Sequence, residues 1–555
     1  MPFTSGAAAG PAGRAQKSIH EQSPEVIAAG IEDFLARYRN AAVLDEGRIA
    51  FDMRAAKYSL AVEHGRCTLQ LWSEDANLVR RAISVQERSG TLRVYVLRFG
   101  QTRPQVLEFV ADRDRRTPST REATRVKYLR VLERVLTRAF PQWKVDSLRT
   151  AMDLEKSFGP AYARGTVVQG QKAWAIVAVN PEETQATIDG ILTIGVLWLE
   201  HCRTSGDGRR VWQGLKVVVP QGAGTLTAAR MCWLNSRAAQ WELWELNAET
   251  EEMEQREPAD TGNVATRLIH APDRTAVRER FRAAEARVMS IVPEQARSQV
   301  EIVVSSGAEI AFLLHGLEFA RIRAGYAGNS FNVQEEISFG AGSNETVLTA
   351  ESEPALCQLV ARLFERRHPG GDKRDVLYRM QPERWLESVL RRDLEQLDAH
   401  LDPRHVYTQV PAFVAGDRGM LDLLGVLRDG RLAVIELKAD EDLQLALQGL
   451  DYWIRVRWHH LHDDSGRGSG YGNGELQRAG YFSGLVLSQL PPKLYLVAPA
   501  LRVHPATEII LRYFSPAVDW ELVGLDERWR QQPKAVWRKR STDSRSGLPD
   551  AVELS

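Results

Sequence analysis

The chain has 555 residues, of which 44% are hydrophobic and 26% are charged, and its formal net charge is zero. A single hydrophobic core stops growing near 300 residues, so this length predicts two or more domains of ordinary globular composition. The charge balance excludes a general positive field as the basis of nucleic-acid binding, so any such contact must come from local basic patches.

The N-terminal segment 1–24 is rich in Ala, Gly, Ser and Pro and has no continuous apolar stretch. We expect a disordered leader there and not a signal peptide. The longest apolar run, 191–199, is far too short to span a bilayer. The four cysteines are scattered without metal-ligand spacing, as in reduced proteins. These features predict a cytoplasmic protein without a membrane contact.

The first half of the chain reads as a β-rich module followed by an α/β module. Short alternating strands over 58–110 place the β-rich module at 25–115. Strands and helices then alternate over 172–246, which predicts a sheet with helices on both faces within an α/β module at 116–247. A helix over 181–202 is expected to begin at Asn180 and Pro181.

A basic helix is also predicted at 120–140. Its cationic side chains are candidates to hold DNA, with a solvated face as the alternative: Arg121, Arg125, Lys127, Arg130 and Arg134.

The second half repeats this order after an acidic linker at 248–272. A helix over 273–291 and strands over 299–350 define a second β-rich module at 273–350. An α/β module is predicted at 351–540, followed by a disordered tail at 541–555.

A β-hairpin is predicted in the C-terminal module, where two apolar runs flank a turn at 428–430. Side chains alternate faces along a strand, so Glu436 and Lys438 share one face. A two-residue loop would send Asp422 to the opposite face. A three-residue loop with Gly430 in the left-handed conformation pairs Asp422 with Glu436. That register gathers two carboxylates and an ammonium group on one face of an apolar hairpin.

The chemistry of this group favours a divalent metal. Two neighbouring carboxylates repel each other, and Mg²⁺ or Mn²⁺ relieves the repulsion by taking their oxygens as ligands. A nearby lysine can orient or deprotonate a bound water, or stabilise negative charge on a phosphate. This pattern favours hydrolysis of a phosphodiester. The alternative is a buried ion pair between Lys438 and one carboxylate, with the other carboxylate at the solvent edge.

Helices are predicted on both sides of the hairpin. One begins at Pro382 and carries Glu383 and Glu387. The other follows the hairpin and carries Gln448 and Tyr452, which are four residues apart and therefore share a face.

This order of elements, over roughly 380–500, resembles the PD-(D/E)XK, or restriction-endonuclease-like, nuclease superfamily, and particularly its RecB-like members with a Gln-x-x-x-Tyr motif. The resemblance implies that Asp422 and Glu436 bind the metal ion. It also implies that Lys438 is the catalytic lysine.

Further residues are assigned by the same resemblance. Glu387 would complete the metal shell, and Glu383 is its rival for that role. Gln448 and Tyr452 would steady the site or contact the nucleic-acid backbone. Leu421 stands where the family's name has a proline.

The two halves of the chain are similar in sequence. Residues 172–183 match 431–442 without a gap, as an apolar strand that leads into an acid-opened helix. Short strands over 58–100 similarly resemble those over 300–340. We interpret the chain as an α/β (α+β) protein made by tandem duplication, in which each copy is a small β-rich module followed by a PD-(D/E)XK-like α/β module.

The alignment of the copies serves as an internal control. At each site position of the second copy, the first copy carries a residue that cannot perform the assigned chemistry. The aligned pairs are Glu387 with Arg130, Asp422 near Ala163, Glu436 with Val177, Lys438 with Val179, and Gln448 with Asp189. The first copy is therefore predicted to be catalytically empty and to form an intramolecular pseudo-dimer with the second.

Two further segments carry weaker signals. The basic segment 528–540, which includes Trp537, suits phosphate contact and base stacking, with a charged terminal helix as the alternative. The histidines His459, His460 and His462 lack a partner at ligand spacing, which favours a solvent-facing helix end over a metal site.

Together these features predict a Mg²⁺- or Mn²⁺-dependent nuclease, in particular an endonuclease, with one active site in the C-terminal module. DNA is the expected substrate, and RNA stays open because no residue pattern indicates recognition of a 2′-hydroxyl. The alternative is a non-catalytic nucleic-acid-binding scaffold that retains the nuclease fold.

Overall fold

The structure, a computed structural model, is mixed α/β with several β-sheets, as predicted. It describes residues 22–39, 41–45, 48–53, 56–63, 65–72, 77–88, 90–97, 104–111, 118–151, 158–205, 210–259, 268–326, 333–342, 346–410, 421–461 and 474–544. The chain divides into two compact units, Met1–Thr124 and Arg125–Ser555. The predicted leader, up to residue 21, lies outside the described residues.

The first unit contains an antiparallel sheet packed against a helix, α1 (Pro24–Arg37), which begins after the capping residue Ser23. The strands are β1 (Ala42–Asp45), β2 (Arg48–Asp52), β3 (Lys57–Glu63), β4 (Arg66–Trp72), β5 (Asn77–Arg88), β6 (Thr91–Leu97) and β7 (Gln105–Val110). Their order in the sheet is β2-β1-β7-β6-β5-β4-β3. Alternating burial along β4 and β6 places one face of each strand in the core, which confirms the strands predicted over 58–110.

The second unit begins with a six-stranded sheet, hereafter the first six-stranded sheet. Its elements are α2 (Pro118–Ala139, in this unit from Arg125), β8 (Lys144–Arg149), β9 (Tyr162–Gln169), β10 (Lys172–Val179), α3 (Gln185–Asp189), α4 (Ile191–Ser205), β11 (Val211–Pro220), α5 (Thr225–Met231), β12 (Gln240–Asn247) and β13 (Glu252–Arg256). Helices cover both faces, as predicted, because Leu132 packs with Ile176 on one face and Ile194 with Val177 on the other.

A five-stranded antiparallel sheet with its helices follows. Its elements are α6 (Arg274–Arg280), α7 (Arg282–Ile291), α8 (Glu294–Arg297), β14 (Val300–Ser306), β15 (Glu309–Leu314), β16 (Leu317–Tyr326), β17 (Val333–Phe339), β18 (Thr346–Val347), α9 (Glu353–Arg366) and α10 (Val376–Arg379). The strands neighbour one another in chain order, with β14 at one edge.

The second six-stranded sheet completes the unit. Its elements are α11 (Pro382–Arg392), a 3₁₀ helix (Leu394–Gln396), β19 (Tyr407–Val410), β20 (Leu421–Val426), β21 (Leu432–Leu437), α12 (Leu445–Leu461), α13 (Glu475–Arg478), β22 (Lys493–Pro499), a 3₁₀ helix (Ala500–Arg502), α14 (Pro505–Arg512), β23 (Trp520–Leu525), β24 (Ala535–Arg540) and α15 (Ser541–Ser544). Strand β21 is buried along its whole length, as expected for an inner strand with helices on both faces.

The two six-stranded sheets have the same topology. Strands follow chain order across each sheet, the third strand runs parallel to the fourth and the fourth to the fifth, and the remaining neighbours are antiparallel. The third strand of each sheet leads through a helix (α4 or α12) to the fourth. One hydrophobic cluster includes residues of both helices, such as Ile194 and Leu450.

Several sequence-based boundaries differ from the structure. The predicted acidic linker contains β13, which pairs with β12. The hydrogen bonds of a strand pair join main-chain groups, so they form whether the side chains of the edge strand are polar or apolar. The single helix predicted over 181–202 is divided into α3 and α4. The first of these begins at Gln185, after the capping residue Thr184, whose side chain accepts the N–H of Thr187. Asn180 instead accepts the N–H of Glu182 in a turn.

Two smaller differences concern the second half. The helix predicted over 273–291 is interrupted at Phe281, which ends α6 and precedes α7. Of the predicted tail, 541–544 is helical, and 545–555 lies outside the described residues. None of the helices in the described ranges is long and apolar enough to cross a membrane.

Candidate active site

The predicted hairpin is formed by β20 and β21. Leu423 pairs with Ile435, and the N–H of Leu427 donates to the carbonyl of Arg431 over 2.8 Å. The loop therefore has three residues, and Gly430 has a φ of 84°, in the left-handed region. When the register of the Leu423–Ile435 pair is continued by one position, Asp422 stands opposite Glu436. This is the pairing that the three-residue loop predicted, so that alternative is confirmed.

The two carboxylates of this pair lie close together, with Glu436 buried and Asp422 half-buried. Glu436 is 2% exposed, and Asp422 accepts the N–H of Leu437 over 2.9 Å. Burial raises the pKa of Glu436 well above its usual value, and the neighbouring charge of Asp422 raises it further. Burial raises the pKa of Asp422 as well. Two acids are therefore held where their charged forms are costly.

Lys438 lies beside this pair, and its ammonium group is surrounded by carboxylates. Its Nζ is 3.4 Å from Oε1 of Glu436, 3.7 Å from Oδ2 of Asp442 and 3.8 Å from Oε1 of Glu383. Burial lowers the pKa of Lys438, but the carboxylates, led by Glu436, outweigh burial and raise it above its ordinary value. Lys438 is therefore a protonated hydrogen-bond donor in this geometry. Of the three roles predicted for it, orientation of a water and stabilisation of negative charge fit a protonated lysine, and deprotonation of a water does not.

The two candidates for a third carboxylate lie one turn apart on α11. Glu387 is 7% exposed and accepts a hydrogen bond from Arg384 over 2.9 Å. Burial raises the pKa of Glu387 to about 7, with a further contribution from Asp422 and against the charge of Arg384. Glu383 is more exposed, and burial raises its pKa too, while Lys438 lowers it. Both side chains interact electrostatically with Asp422, so the choice between them stays open.

Helix α12 crosses the strand that carries Glu436. A Cβ added to Gly449 would lie 3.7 Å from the Cβ of Glu436 and 2.4 Å from a methyl group of Leu496, so the close approach requires glycine. Tyr452 is 3% exposed and hydrogen-bonds with Gln448. Burial raises the pKa of Tyr452, and the charges of Glu436 and Asp422 contribute to the shift. Tyr452 therefore belongs to the surroundings of the carboxylates, and Gln448 contacts it from one turn earlier.

The equivalent position in the first six-stranded sheet requires one correction. There Val177, the counterpart of Glu436, pairs with Arg164, whereas Ala163 pairs with Ala178. The β9–β10 loop has two residues and the β20–β21 loop has three. An alignment without a gap from Val177 back through the turn therefore reaches Ala163, one residue before Arg164. By strand pairing, Arg164 stands opposite Val177 as Asp422 stands opposite Glu436, one residue beyond the predicted Ala163.

Arg164 is a buried cation at that position. It is 2% exposed, its guanidinium lies 4.4 Å from the ring centre of Phe158, and it donates to the carbonyl of Ala151. Val177 and Val179, the counterparts of Glu436 and Lys438, are fully buried. The first six-stranded sheet thus has a positive charge and hydrocarbon where the second has carboxylates and an ammonium group.

The second sheet brings together four carboxylates (Glu383, Glu387, Asp422 and Glu436) with Lys438 and Arg384. Within the described ranges, Oε2 of Glu436 is buried without a hydrogen-bond partner. An orphaned buried oxygen beside a second carboxylate fits a hard divalent cation. Among the residues that the structure describes, however, no group of three or more His, Cys, Asp or Glu is arranged to hold a metal ion. The metal stays a prediction.

Sequence reasoning missed two charged neighbours of the site. Asp442 contacts Lys438 from four residues downstream, and Arg384 contacts Glu387 from three residues upstream. Both offsets match neighbouring positions on a helix, but Asp442 precedes α12. Spacing alone could therefore have indicated Arg384 and not Asp442.

Two of the five basic residues predicted to hold DNA are engaged in ion pairs. On α2, Arg125 pairs with Glu183 over 2.8 Å and Arg134 pairs with Glu251, whereas the side chain of Arg121 lies outside the described residues. The role of this helix in DNA binding stays a prediction.

The segment 528–540 is an edge strand and a turn and not a terminal helix. Arg538 pairs with the buried Glu521, and Trp537 packs against Gly524. Among the histidines, His459 contacts Glu475, while His462 lies outside the described residues.

No protein-family model matches this sequence, and no curated protein is similar to it.

Proposed function

We propose that the protein is a metal-dependent nuclease of the PD-(D/E)XK type, which hydrolyses phosphodiester bonds in DNA at one site in its C-terminal module. The observation that carries the proposal is the pair of the half-buried Asp422 and the buried Glu436, with an unpartnered Glu436 oxygen, beside the ammonium group of Lys438. Burial of two like charges is costly unless a further cation compensates them. A site for Mg²⁺ or Mn²⁺ accounts for that cost.

The roles of the residues follow from their chemistry. Asp422 and Glu436 would hold the ion, together with Glu387 or Glu383. A bound divalent ion lowers the pKa of a water ligand and stabilises negative charge on a phosphoryl oxygen. Lys438 donates hydrogen bonds, so its ammonium group would orient a phosphate oxygen and stabilise the charge that develops there.

The same proposal includes a tandem duplication in which the first copy has no active site. It is supported by the shared topology of the two six-stranded sheets and by the constant offset between Val177 and Glu436 and between Val179 and Lys438. The buried Arg164 in place of Asp422 supports an empty first copy, because a cation there opposes metal binding.

A non-catalytic scaffold is the second candidate. Lys438 and Arg384 each already contact carboxylates of the site, which balances part of the negative charge without a metal ion. In that case the ion-pair network would serve stability alone.

The test is cleavage of circular and linear DNA by the full chain with Mg²⁺, Mn²⁺ or EDTA. We expect metal-dependent cleavage that falls by about 100-fold or more in Asp422→Asn and Lys438→Met, because each removes a group at the reacting phosphate. Glu365→Gln, at an exposed position of α9, is the matched control and should cleave normally. Absence of cleavage with either metal, or equal cleavage by all variants, would contradict the nuclease and favour the scaffold.

A further inference from the structure

A groove of about 850 Å³ lies within the second unit, beside the candidate active site. Helices α6 and α7 and strand β14 form one side, and strand β19 with Tyr481 forms the other. Both β14 and β19 are edge strands of their sheets. The groove is therefore bounded by edge strands of two separate sheets.

Arginine side chains dominate the charge of this groove. Arg274, Arg278 and Arg282 are spaced four residues apart along α6 and α7, and Arg391 reaches the groove from α11. Two carboxylates, Glu279 and Glu285, also line it. Glu301, behind the groove, pairs with Arg391, so four cations face three anions and leave an excess of one positive charge, which selects an anionic ligand.

The ion pairs inside the groove do not prevent such a ligand from binding. Arg282 and Glu279 are 79% and 70% exposed in their 3.2 Å pair, and Arg278 is 51% exposed in its pair with Glu285. Exposed pairs of this kind contribute little to stability. A phosphate group can therefore replace Glu279 as the partner of Arg282 at little cost.

Aromatic rings lie beside the arginines. The guanidinium of Arg274 is 5.1 Å from the ring centre of Tyr407, which in turn packs against Tyr481 with a centroid distance of 4.9 Å. Arginine and aromatic planes are the groups on which unpaired bases stack. Tyr481 is buried and Tyr407 is half-buried, so the groove combines phosphate partners with one partly exposed aromatic ring.

The groove adjoins the candidate active site through two elements. Arg391 is one helical turn beyond Glu387 on α11, and its charge acts on the pKa of Glu387. Thr408, which lines the groove, pairs with Leu423, the neighbour of Asp422 on β20. A ligand bound along β19 would therefore lie close to the strand that carries Asp422.

We propose that this groove binds a single strand of nucleic acid through its phosphates and directs the strand to the candidate active site. The direction of the strand rests on the proposed nuclease function, whereas the binding does not. A volume of about 850 Å³ is that of a site for a drug-sized ligand, so it accommodates a few nucleotides. Recognition through phosphates makes the binding independent of sequence.

The test measures binding of a labelled single-stranded DNA oligonucleotide to the full chain in EDTA. We expect Arg282→Glu to weaken binding tenfold or more. Arg287→Glu, the same change on the same helix but outside the groove, should weaken it less than twofold. Arg282→Ala should also reduce the slope of log K against log salt by about 0.7, the value for one phosphate contact on a single strand. Arg278→Gln serves as a second variant if Arg282→Glu does not fold.

Several results would overturn the groove. One is an equal loss of oligonucleotide affinity in Arg282→Glu and Arg287→Glu, and another is no loss of affinity in either variant. A third is that Arg282→Glu weakens the binding of a duplex of equal length as much as it weakens the binding of the single strand. Displacement of the oligonucleotide by an acidic peptide of equal charge would instead indicate a protein-binding surface.

The two proposals fail in different ways. Normal oligonucleotide binding by Arg282→Glu, with DNA cleavage by the unmodified protein, would contradict the groove and leave the nuclease intact. Loss of binding in Arg282→Glu, without cleavage under any metal condition, would leave the groove intact and contradict the nuclease.

Discussion

At the scale of single residues, the half-buried Asp422 and the buried Glu436 each have a raised pKa, so ionising both acids costs stability when no metal cation compensates them. We predict that Asp422→Asn raises the free energy of unfolding in EDTA at pH 8 by about 1 kcal/mol, because the repulsion is removed while the amide oxygen still accepts the Leu437 N–H. The stabilisation by Mg²⁺ should disappear in the same variant. Chemical denaturation with Mg²⁺ or EDTA measures both. A less stable Asp422→Asn in EDTA would show that the pair is not repulsive.

His315 provides a prediction about pH. It is 6% exposed and stacks on Trp385 at 5.1 Å, and burial lowers its pKa from 6.5 to about 4, with smaller contributions from Arg392 and Arg367. Between these two values the unfolded chain binds a proton that the folded chain does not. Stability should therefore be unaffected by His315 above pH 6.5 and fall by about 2–3 kcal/mol as the pH drops to 4.

The variant His315→Asn isolates this effect, because asparagine tolerates the left-handed conformation found here, with a φ of 46°. Denaturation curves between pH 4 and 7 should show a smaller loss of stability at low pH for this variant than for the unmodified protein. The same pH dependence in both proteins would exclude His315 as the cause.

At the scale of elements, loop length decides which side chains meet across a hairpin. The three-residue loop at Gly430 pairs Asp422 with Glu436, whereas the two-residue loop of β9–β10 pairs Arg164 with Val177. The hairpins thus keep the same strands and faces while the loops differ by one residue. An alignment of these two hairpins therefore needs a gap of one residue in the turn.

The turn between β15 and β16 contacts the helix that carries Glu383 and Glu387. Gly316 has a φ of 74°, and a Cβ there would lie 2.0 Å from the carbonyl oxygen of Arg384. We predict that Gly316→Ala destabilises the protein by about 3 kcal/mol or more, because a backbone atom of α11 must move. Denaturation and Mg²⁺ titration should both detect the change, since α11 carries candidate ligands.

The matched control is Gly307→Ala, in the neighbouring turn between β14 and β15. No atom lies within 4 Å of an added Cβ there, and the φ of Gly307 is outside the left-handed region. Its stability should change by less than about 1 kcal/mol. Equal effects of the two substitutions would contradict the contact with α11.

At the scale of the second unit, a buried ion pair joins the two six-stranded sheets. Arg230 on α5 bonds both oxygens of Asp451 on α12 at 2.8 and 2.7 Å, and both side chains are nearly buried. We predict that Asp451→Leu or Arg230→Met alone costs about 3–5 kcal/mol, because each leaves an uncompensated buried charge. The double variant should recover most of that loss. A double-mutant cycle of unfolding free energies measures the coupling, and additive effects would contradict it.

The sequence predicted the elements of the C-terminal module well, because strong local signals were present. Gly430 and the apolar runs indicated the hairpin and its register, and Pro382 indicated the start of α11. Two details differ from the structure. The helix that the acidic residues 440–442 were expected to open begins only at Leu445, and the predicted linker at 248–272 contains a strand. Both differences arise because acidic residues suit helix starts, loops and edge strands alike.

The sequence by itself determined which residue types share a face of the hairpin, since alternation along a strand and the length of a turn are local properties. Only the tertiary structure decided that Lys438 is held protonated by acids from three segments, that Arg164 is the counterpart of Asp422, and that arginines from α6, α7 and α11 line one groove. Those relations depend on distances between segments far apart in the chain, and the packing of helices on sheets sets such distances.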